Sequence, residues 1–271
     1  MAAHVTDLHG RRLVVLGASS GTGQALAVHA VAGGAEVLLC GRRQDRLEAT
    51  RQAAGGGTVF PVDVTDRADL ERLGEEARRF GPVHGVVSTV GVSQLRLLLE
   101  MSVQDWRAVI DTNLIGVNLA IQALIPALAD HALVLALSSE VIEMPRWALS
   151  AYGASKAALE TSMAGWRVEY PMARFGTVVI GATMPTEFHR DFEDSRLGAS
   201  LEIWTRHGLS QDEMMKADHV GAAIAGIMAA LLPYPDVGLE HVVLRSPSPV
   251  IGTAEYLRSA VEGSAVDRPA P

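Results

Sequence analysis

The stretch LVVLGASSGTGQALAVHAVAGG, residues 13–34, decides the fold. Leu13–Leu16 is a short apolar run without polar alternation, which suits a strand buried on both faces of a parallel sheet. It leads straight into Gly17-Ala18-Ser19-Ser20-Gly21-Thr22-Gly23 and then into a helix-like segment, Gly23–Gly33. Glycines allow a tight turn and a close approach of the backbone to an anion. The helix start offers free N–H groups and a partial positive charge. A glycine turn between a strand and a helix is the context a pyrophosphate needs; a purely structural turn is the plain alternative. The candidate contacts are Gly17, Ser19, Ser20, Gly21, Thr22 and Gly23.

Outward from this turn the same alternation repeats. Ala35–Leu39, Thr58–Val62, Val83–Val87, Ala132–Leu137, Gly176–Ile180 and His241–Leu244 read as further strands. Ala68–Phe80, Val103–Ala129 and Ala154–Met172 read as helices between them. Such β-α-β-α order predicts an α/β Rossmann fold: a doubly wound parallel sheet of about seven strands in three α/β/α layers. One domain over residues 1–271 is expected. Residues 187–216 break the pattern and are placed as a lid over a substrate at the carboxyl edge of the sheet. The tail after about residue 260 is expected to fray.

The composition bounds the function. Of 271 residues, 48% are hydrophobic and 20% charged, as in ordinary globular chains. The formal net charge of −8 argues against a nucleic-acid partner, which needs a basic face. No run of 18 apolar residues suggests a membrane span. The single cysteine, Cys40, permits no internal disulfide and suits a cytoplasmic location; as a lone buried thiol it reads as a small hydrophobe. The nine histidines show no metal-ligand spacing, so no metal is expected.

The second strand ends in Cys40-Gly41-Arg42-Arg43. An NAD site wants a carboxylate here for the adenosine ribose. Gly41 offers none, whereas Arg42 and Arg43 offer planar cationic forks suited to a 2′-phosphate. Arginines at a helix start also oppose the helix dipole, which favours a functional reason for them. Asp63 and Val64 follow the third strand; Asp63 can serve the adenine or cap the next helix.

Tyr152 and Lys156 stand four apart in YGASK, on one helix face. A free phenol has a pKa of about 10, and a neighbouring ammonium together with an oxidised, cationic nicotinamide is expected to lower it, so that the group can exchange a proton near neutral pH. Ser139 lies at the end of the fifth strand, where its hydroxyl can hold a substrate oxygen. Asn113, a poor interior helix former, sits in DTNLIG. Alone, a Tyr-Lys pair is more often a surface feature than a site.

Together, the glycine spacing of the Gly17–Gly23 turn and the set Asn113, Ser139, Tyr152 and Lys156 resemble the short-chain dehydrogenase/reductase family, the set in identity, order and spacing, the turn with Leu16 and Thr22 where the family usually has Thr and Ile. The resemblance implies NADP(H)-dependent transfer of a hydride between nicotinamide and a carbonyl or secondary alcohol. It assigns Tyr152 as acid/base, Ser139 as the orienting hydroxyl, Lys156 to the nicotinamide ribose and Asn113 to a proton-supplying water. It also implies that Asp63 and Val64 meet the adenine, that Thr186 reaches the carboxamide or phosphates, and that two long helices pair to form a homotetramer or dimer.

Two motifs depart from the family pattern. Ser88-Thr89-Val90-Gly91 replaces Asn-Asn-Ala-Gly, leaving Thr89 and Gly91 as the cofactor contacts there. Gly181-Ala182 replaces Pro-Gly ahead of Thr186. These departures keep open a redox-neutral epimerase or dehydratase and, less favoured by the complete tetrad, a non-catalytic NADP sensor. The substrate is expected to be a small, largely apolar molecule. Gln94, Glu140, Ile142, Met144, Trp147, Thr183, Phe188 and Trp204 are the residues expected to face it.

Overall fold

The branched apolar runs become strands, as the computed structural model, describing residues 6–187, 192 and 194–250, lays out. In chain order the elements are β1 (Arg12–Leu16), α1 (Gly21–Ala32), β2 (Glu36–Gly41), α2 (Gln44–Ala54), β3 (Thr58–Pro61), α3 (Arg67–Phe80), β4 (Val83–Ser88), α4 (Val103–Ile110), α5 (Val117–Leu124), β5 (Leu128–Ser139), α6 (Ser150–Glu169), β6 (Arg174–Ile180), β7 (Thr183–Met184), α7 (Asp194–Arg206), β8 (Met215–Lys216), α8 (Ala217–Leu231) and β9 (His241–Leu244). Seven strands form one parallel sheet in the order β3-β2-β1-β4-β5-β6-β9. The order reverses between β1 and β4, which opens a crevice at the carboxyl ends of those strands. The short strands β7 and β8 pair separately beside that edge.

The missing polar alternation is explained by two cores. Successive side chains of a strand point to opposite faces. Val14 and Leu16 pack with Leu70 and Leu73 of α3, Val117 and Ile121 of α5, and Leu159 and Met163 of α6. Leu13 and Val15 pack on the other face with Leu26 and Ala27 of α1, Leu47 of α2, and Ile224 and Met228 of α8. Both faces are covered, so both sets must be apolar.

The expected helix Val103–Ala129 is divided. α4 starts on a capping box, in which Ser102 Oγ accepts from Asp105 N–H (3.1 Å) and Asp105 Oδ2 accepts from Ser102 N–H (3.0 Å). A π-helical turn follows at Asp111–Gly116, then α5, then a short 3-10 turn at Ile125–Ala127. Pro126 has no N–H to donate, so the α-helix cannot continue. β5 begins four residues earlier than expected, past an irregularity in its register with β4. α6 starts at Ser150, not Ala154, and ends before Pro171. Tyr152 therefore lies in its first turn.

The helical run Val103–Ala127 is long and apolar enough to cross a membrane, which counting consecutive apolar residues does not register. Here it packs against α3 and α6, with 39% of its most apolar window buried. The proposed lid region contains α7 and β8. The tail after residue 260 lies outside the described residues.

Candidate functional site

A cleft of about 340 Å³ runs along the carboxyl ends of the central strands. One end is formed by the glycine turn. Gly17 has φ of +90°, and a Cβ on Gly23 would come within 2.3 Å of the Gly17 carbonyl oxygen. The turn can close this tightly only with glycine at both places. Thr89 secures it from β4: its hydroxyl donates to the carbonyls of Leu16 (3.0 Å) and Gly17 (3.2 Å). Its backbone N–H adds a bond to Leu16 (2.8 Å). One threonine thus ties neighbouring strand ends where the family pattern has asparagine.

Ser20, the residue preceding α1, makes no capping bond to it. The first N–H groups of the helix receive no side-chain cap and are available to an anion. Thr22 lines the same cleft, and its buried Oγ1 has no hydrogen-bond partner among the described residues. A cradle that a Cβ would fill, an uncapped helix start and an orphaned hydroxyl fit the diphosphate of a dinucleotide.

Ser19, Gly21, Arg42, Arg43, Asp63, Val64, Gly91 and Thr186 also line the cleft. Arg42 is exposed and makes no ion pair with another described residue. Arg43 directs one guanidinium nitrogen at Ser19 Oγ (3.2 Å), Ser20 Oγ (3.4 Å) and Glu187 Oε2 (2.5 Å). Asp63 does not cap α3. Its carboxylate accepts from the N–H (2.9 Å) and hydroxyl (2.8 Å) of Thr65, while Asp66 caps the helix. The buried Cys40 thiol is pushed up from its usual range by desolvation, so it behaves as a small apolar residue.

Ser139, Tyr152 and Lys156 meet in the middle of the cleft, where the end of β5 faces the first turns of α6. The Tyr152 hydroxyl is hydrogen-bonded with the Ser139 side chain, and Lys156 Nζ lies 5.8 Å from the Tyr152 ring centre. The ammonium donates to the carbonyls of Val90 (3.2 Å) and Leu137 (2.9 Å). Burial pushes the Tyr152 phenol up to about 12, and its bond with Ser139 offsets only part of this. Burial also lowers Lys156 to about 8. The ammonium by itself does not acidify the phenol. Both groups are 8% exposed or less, and desolvation outweighs an ammonium held by carbonyls rather than by the phenol.

Asn113 is fully buried in the π-helical turn. Its amide donates to the Val92 carbonyl (2.9 Å) and Ser155 Oγ (3.0 Å), and its oxygen accepts from Val92 N–H (2.8 Å). Ser155 in turn donates to the Tyr152 carbonyl (2.7 Å). Asn113 therefore joins the segment after β4 to the helix that carries Tyr152 and Lys156. Gly91 lies between them, since a Cβ there would come 3.3 Å from Lys156 Nζ.

The other end of the cleft is walled by Val141, Leu149, Leu201, Trp204, Leu209 and Met214, with Ser93, Arg146, Thr183, Ser210 and Gln211 among its polar members. Of the residues expected to face a substrate, Thr183 and Trp204 line it; Gln94, Glu140, Ile142, Met144 and Trp147 do not. Phe188 lies outside the described residues. Glu140 is 1% exposed and pairs with Arg146 (2.5 Å) and Arg245 (3.3 Å). Glu143 holds the same Arg245 (2.7 Å). The buried Glu140 and the exposed Glu143 thus share Arg245 in one ion network. Arg146 also donates to the Leu209 carbonyl (3.0 Å) and lies over the Trp204 ring, whose Nε1 donates to the Trp147 carbonyl (3.0 Å). The sequence reading missed Arg146 and Glu187; no local spacing marks either one. Among the described residues no cluster of acidic, His or Cys side chains could hold a metal.

Comparison with known proteins places this architecture. The short chain dehydrogenase family model matches residues 11–196, more than half of the chain. An uncharacterized oxidoreductase of Listeria innocua is 32% identical over 237 residues, covering 83% of this chain and 91% of its own. The glycine betaine reductase of Emericella nidulans is 32% identical over 169 residues, or 60% of this chain, but the match spans only 13% of that larger protein. Among solved structures, a short chain dehydrogenase of Burkholderia cenocepacia in complex with NADP has a TM-score of 0.75 at 23% identity, covering 88% of this chain and 97% of its own. An alcohol dehydrogenase of Thermococcus sibiricus complexed with 5-hydroxy-NADP has a TM-score of 0.71 at 24% identity, with the same coverage of 88% and 97%. At those identities the two structures speak for the fold. On the family match, the chain belongs to the short chain dehydrogenase family of oxidoreductases.

Proposed function

We propose that this protein is an NADP(H)-dependent reductase or dehydrogenase acting on the carbonyl or secondary alcohol of a small, largely apolar substrate. The observation that carries the reading is the meeting of Ser139, Tyr152 and Lys156 between an anion cradle and an apolar chamber in one cleft. The dinucleotides bound by the Burkholderia and Thermococcus neighbours are in keeping with it.

The cradle at Gly17–Gly23 would hold the diphosphate, Arg42 and Arg43 the 2′-phosphate, Asp63 and Val64 the adenine end, and Lys156 and Thr186 the nicotinamide end. When bound, a nicotinamide dinucleotide supplies a hydride in one direction and accepts it in the other. Ser139 orients the substrate oxygen by hydrogen bonding as charge develops there. Tyr152 gives that oxygen its proton in reduction and removes it in oxidation. In the free protein burial keeps the phenol protonated at neutral pH, the form needed to act as the acid. Asn113 acts as a positioning residue, bracing the Val92 segment against Ser155 and the carbonyl of Tyr152.

The test is turnover of NADPH against a panel of ketones, followed optically. Net loss of NADPH is expected. Conversion of substrate without that loss would point instead to redox-neutral chemistry. Arg42→Ala should weaken NADPH much more than NADH; an equal effect on both would overturn the assignment of the phosphate contact.

A further inference from the structure

Arg43 is not idle beside the phosphate cradle. A single guanidinium nitrogen reaches both serine hydroxyls of the glycine turn and the carboxylate of Glu187. Glu187 comes from a distant segment, just after Thr186, whose side chain already packs beside Gly21. Both partners of the ion pair are about two-thirds buried and both line the cleft. A carboxylate and a phosphate offer an arginine fork the same chemistry: a planar or tetrahedral set of anionic oxygens. They cannot share one nitrogen at such a distance without like-charge repulsion.

We infer that Glu187 sets the strength of dinucleotide discrimination by competing with the 2′-phosphate for Arg43. The inference rests on the NADP reading above and deepens it. Arg42, free of ion pairs with described residues, supplies the first attraction for the phosphate. Arg43 contributes its full charge and its Nη2 only when Glu187 gives way. A dinucleotide lacking the 2′-phosphate leaves the ion pair intact and pays no such competition.

The experiment is direct binding by calorimetry, independent of turnover. The full-length protein and its Glu187→Gln variant are titrated with NADPH, NADH, 2′,5′-ADP and 5′-AMP. The pair is partly exposed, so its removal is expected to tighten NADPH and 2′,5′-ADP by about threefold to fivefold. NADH and 5′-AMP should change by less than about twofold on the same argument. Glutamine keeps the shape and leaves the fold intact, and Glu187→Ala serves as a second variant with the same expected direction. No gain for 2′,5′-ADP, or an equal gain for 5′-AMP, overturns the inference. The underlying reading fails separately: wild-type protein would then bind NADH as tightly as NADPH, and Arg43→Ala would weaken neither. That result would overturn this inference as well.

Discussion

The two ends of the cleft are built in opposite ways. The anion end is backbone: glycines, uncapped N–H groups and strand ends fastened by Thr89. The substrate end is side chain, with a wall formed by Leu149, Trp204 and Leu209 and braced by the buried Glu140–Arg146 pair. A backbone cradle tolerates almost no added atom, because its shape comes from the close approach of main chains. A side-chain wall can change size and polarity while the fold persists. The difference separates what the fold keeps constant from what sets the choice of substrate.

The largest effect tests the junction between the ends. Tyr152→Phe should reduce turnover by about a thousandfold, in the middle of the usual range for one positioned acid/base group. NADPH affinity by calorimetry should stay within about threefold. A Phe variant that still turns over at a tenth of the normal rate would remove Tyr152 from the chemistry. The next effect falls on the anion end alone. Gly23→Ala places a Cβ 2.3 Å from the Gly17 carbonyl, and dinucleotide binding should drop by about a hundredfold or more. Circular dichroism would separate that loss from unfolding.

Two smaller effects fall on the substrate end. Glu140→Ala leaves Arg146 buried without its partner and should cost about 3 kcal/mol in urea unfolding. The isosteric Glu140→Gln should cost less because it retains a hydrogen-bond acceptor for Arg146. Trp204→Ala opens the apolar wall and should raise KM by about tenfold with NADPH affinity unchanged, consistent with the loss of a large buried ring. Equal weakening of substrate and dinucleotide would show that the two ends are not separable.

The smallest effect is a pH linkage. Lys156 falls from 10.5 to about 8 on burial. Between these values the unfolded chain binds more protons than the folded one, so the contribution of this residue to stability rises with pH. Wild-type protein should therefore gain stability relative to Lys156→Met as pH climbs from about 8 to about 10. A flat difference would place the ammonium in water.

The anion end was largely readable along the chain because its determinants are local. The strand, the three glycines and the helix follow one another within residues 12–32. The four-residue step from Tyr152 to Lys156 is equally local, lying within one helix. The substrate end was not readable because its contacts are distant. Arg146 finds the Leu209 carbonyl 63 residues away, and Arg245 finds Glu143 102 residues away. Nothing in the types of Glu140 or Glu143 distinguishes an internal partner from an exposed ligand. Asp63 and Asp66 pose a similar problem, since both precede α3 and only the turn geometry decides which one caps it. The direction of the Tyr152 shift also needed three dimensions, because burial is a property of the assembled sheet and helices.

Lys156 has a second duty that follows from where its ammonium is anchored. The carbonyls it grips belong to the chain just past β4 and to β5, adjacent members of the sheet. A single cation thus works as a crossbar between two parallel rails, at the height where the rails would otherwise begin to part. Pulling it out loosens the rim in the same act that removes the charge. The spacing of the rails is therefore held by the same group that we propose binds the nicotinamide end between them.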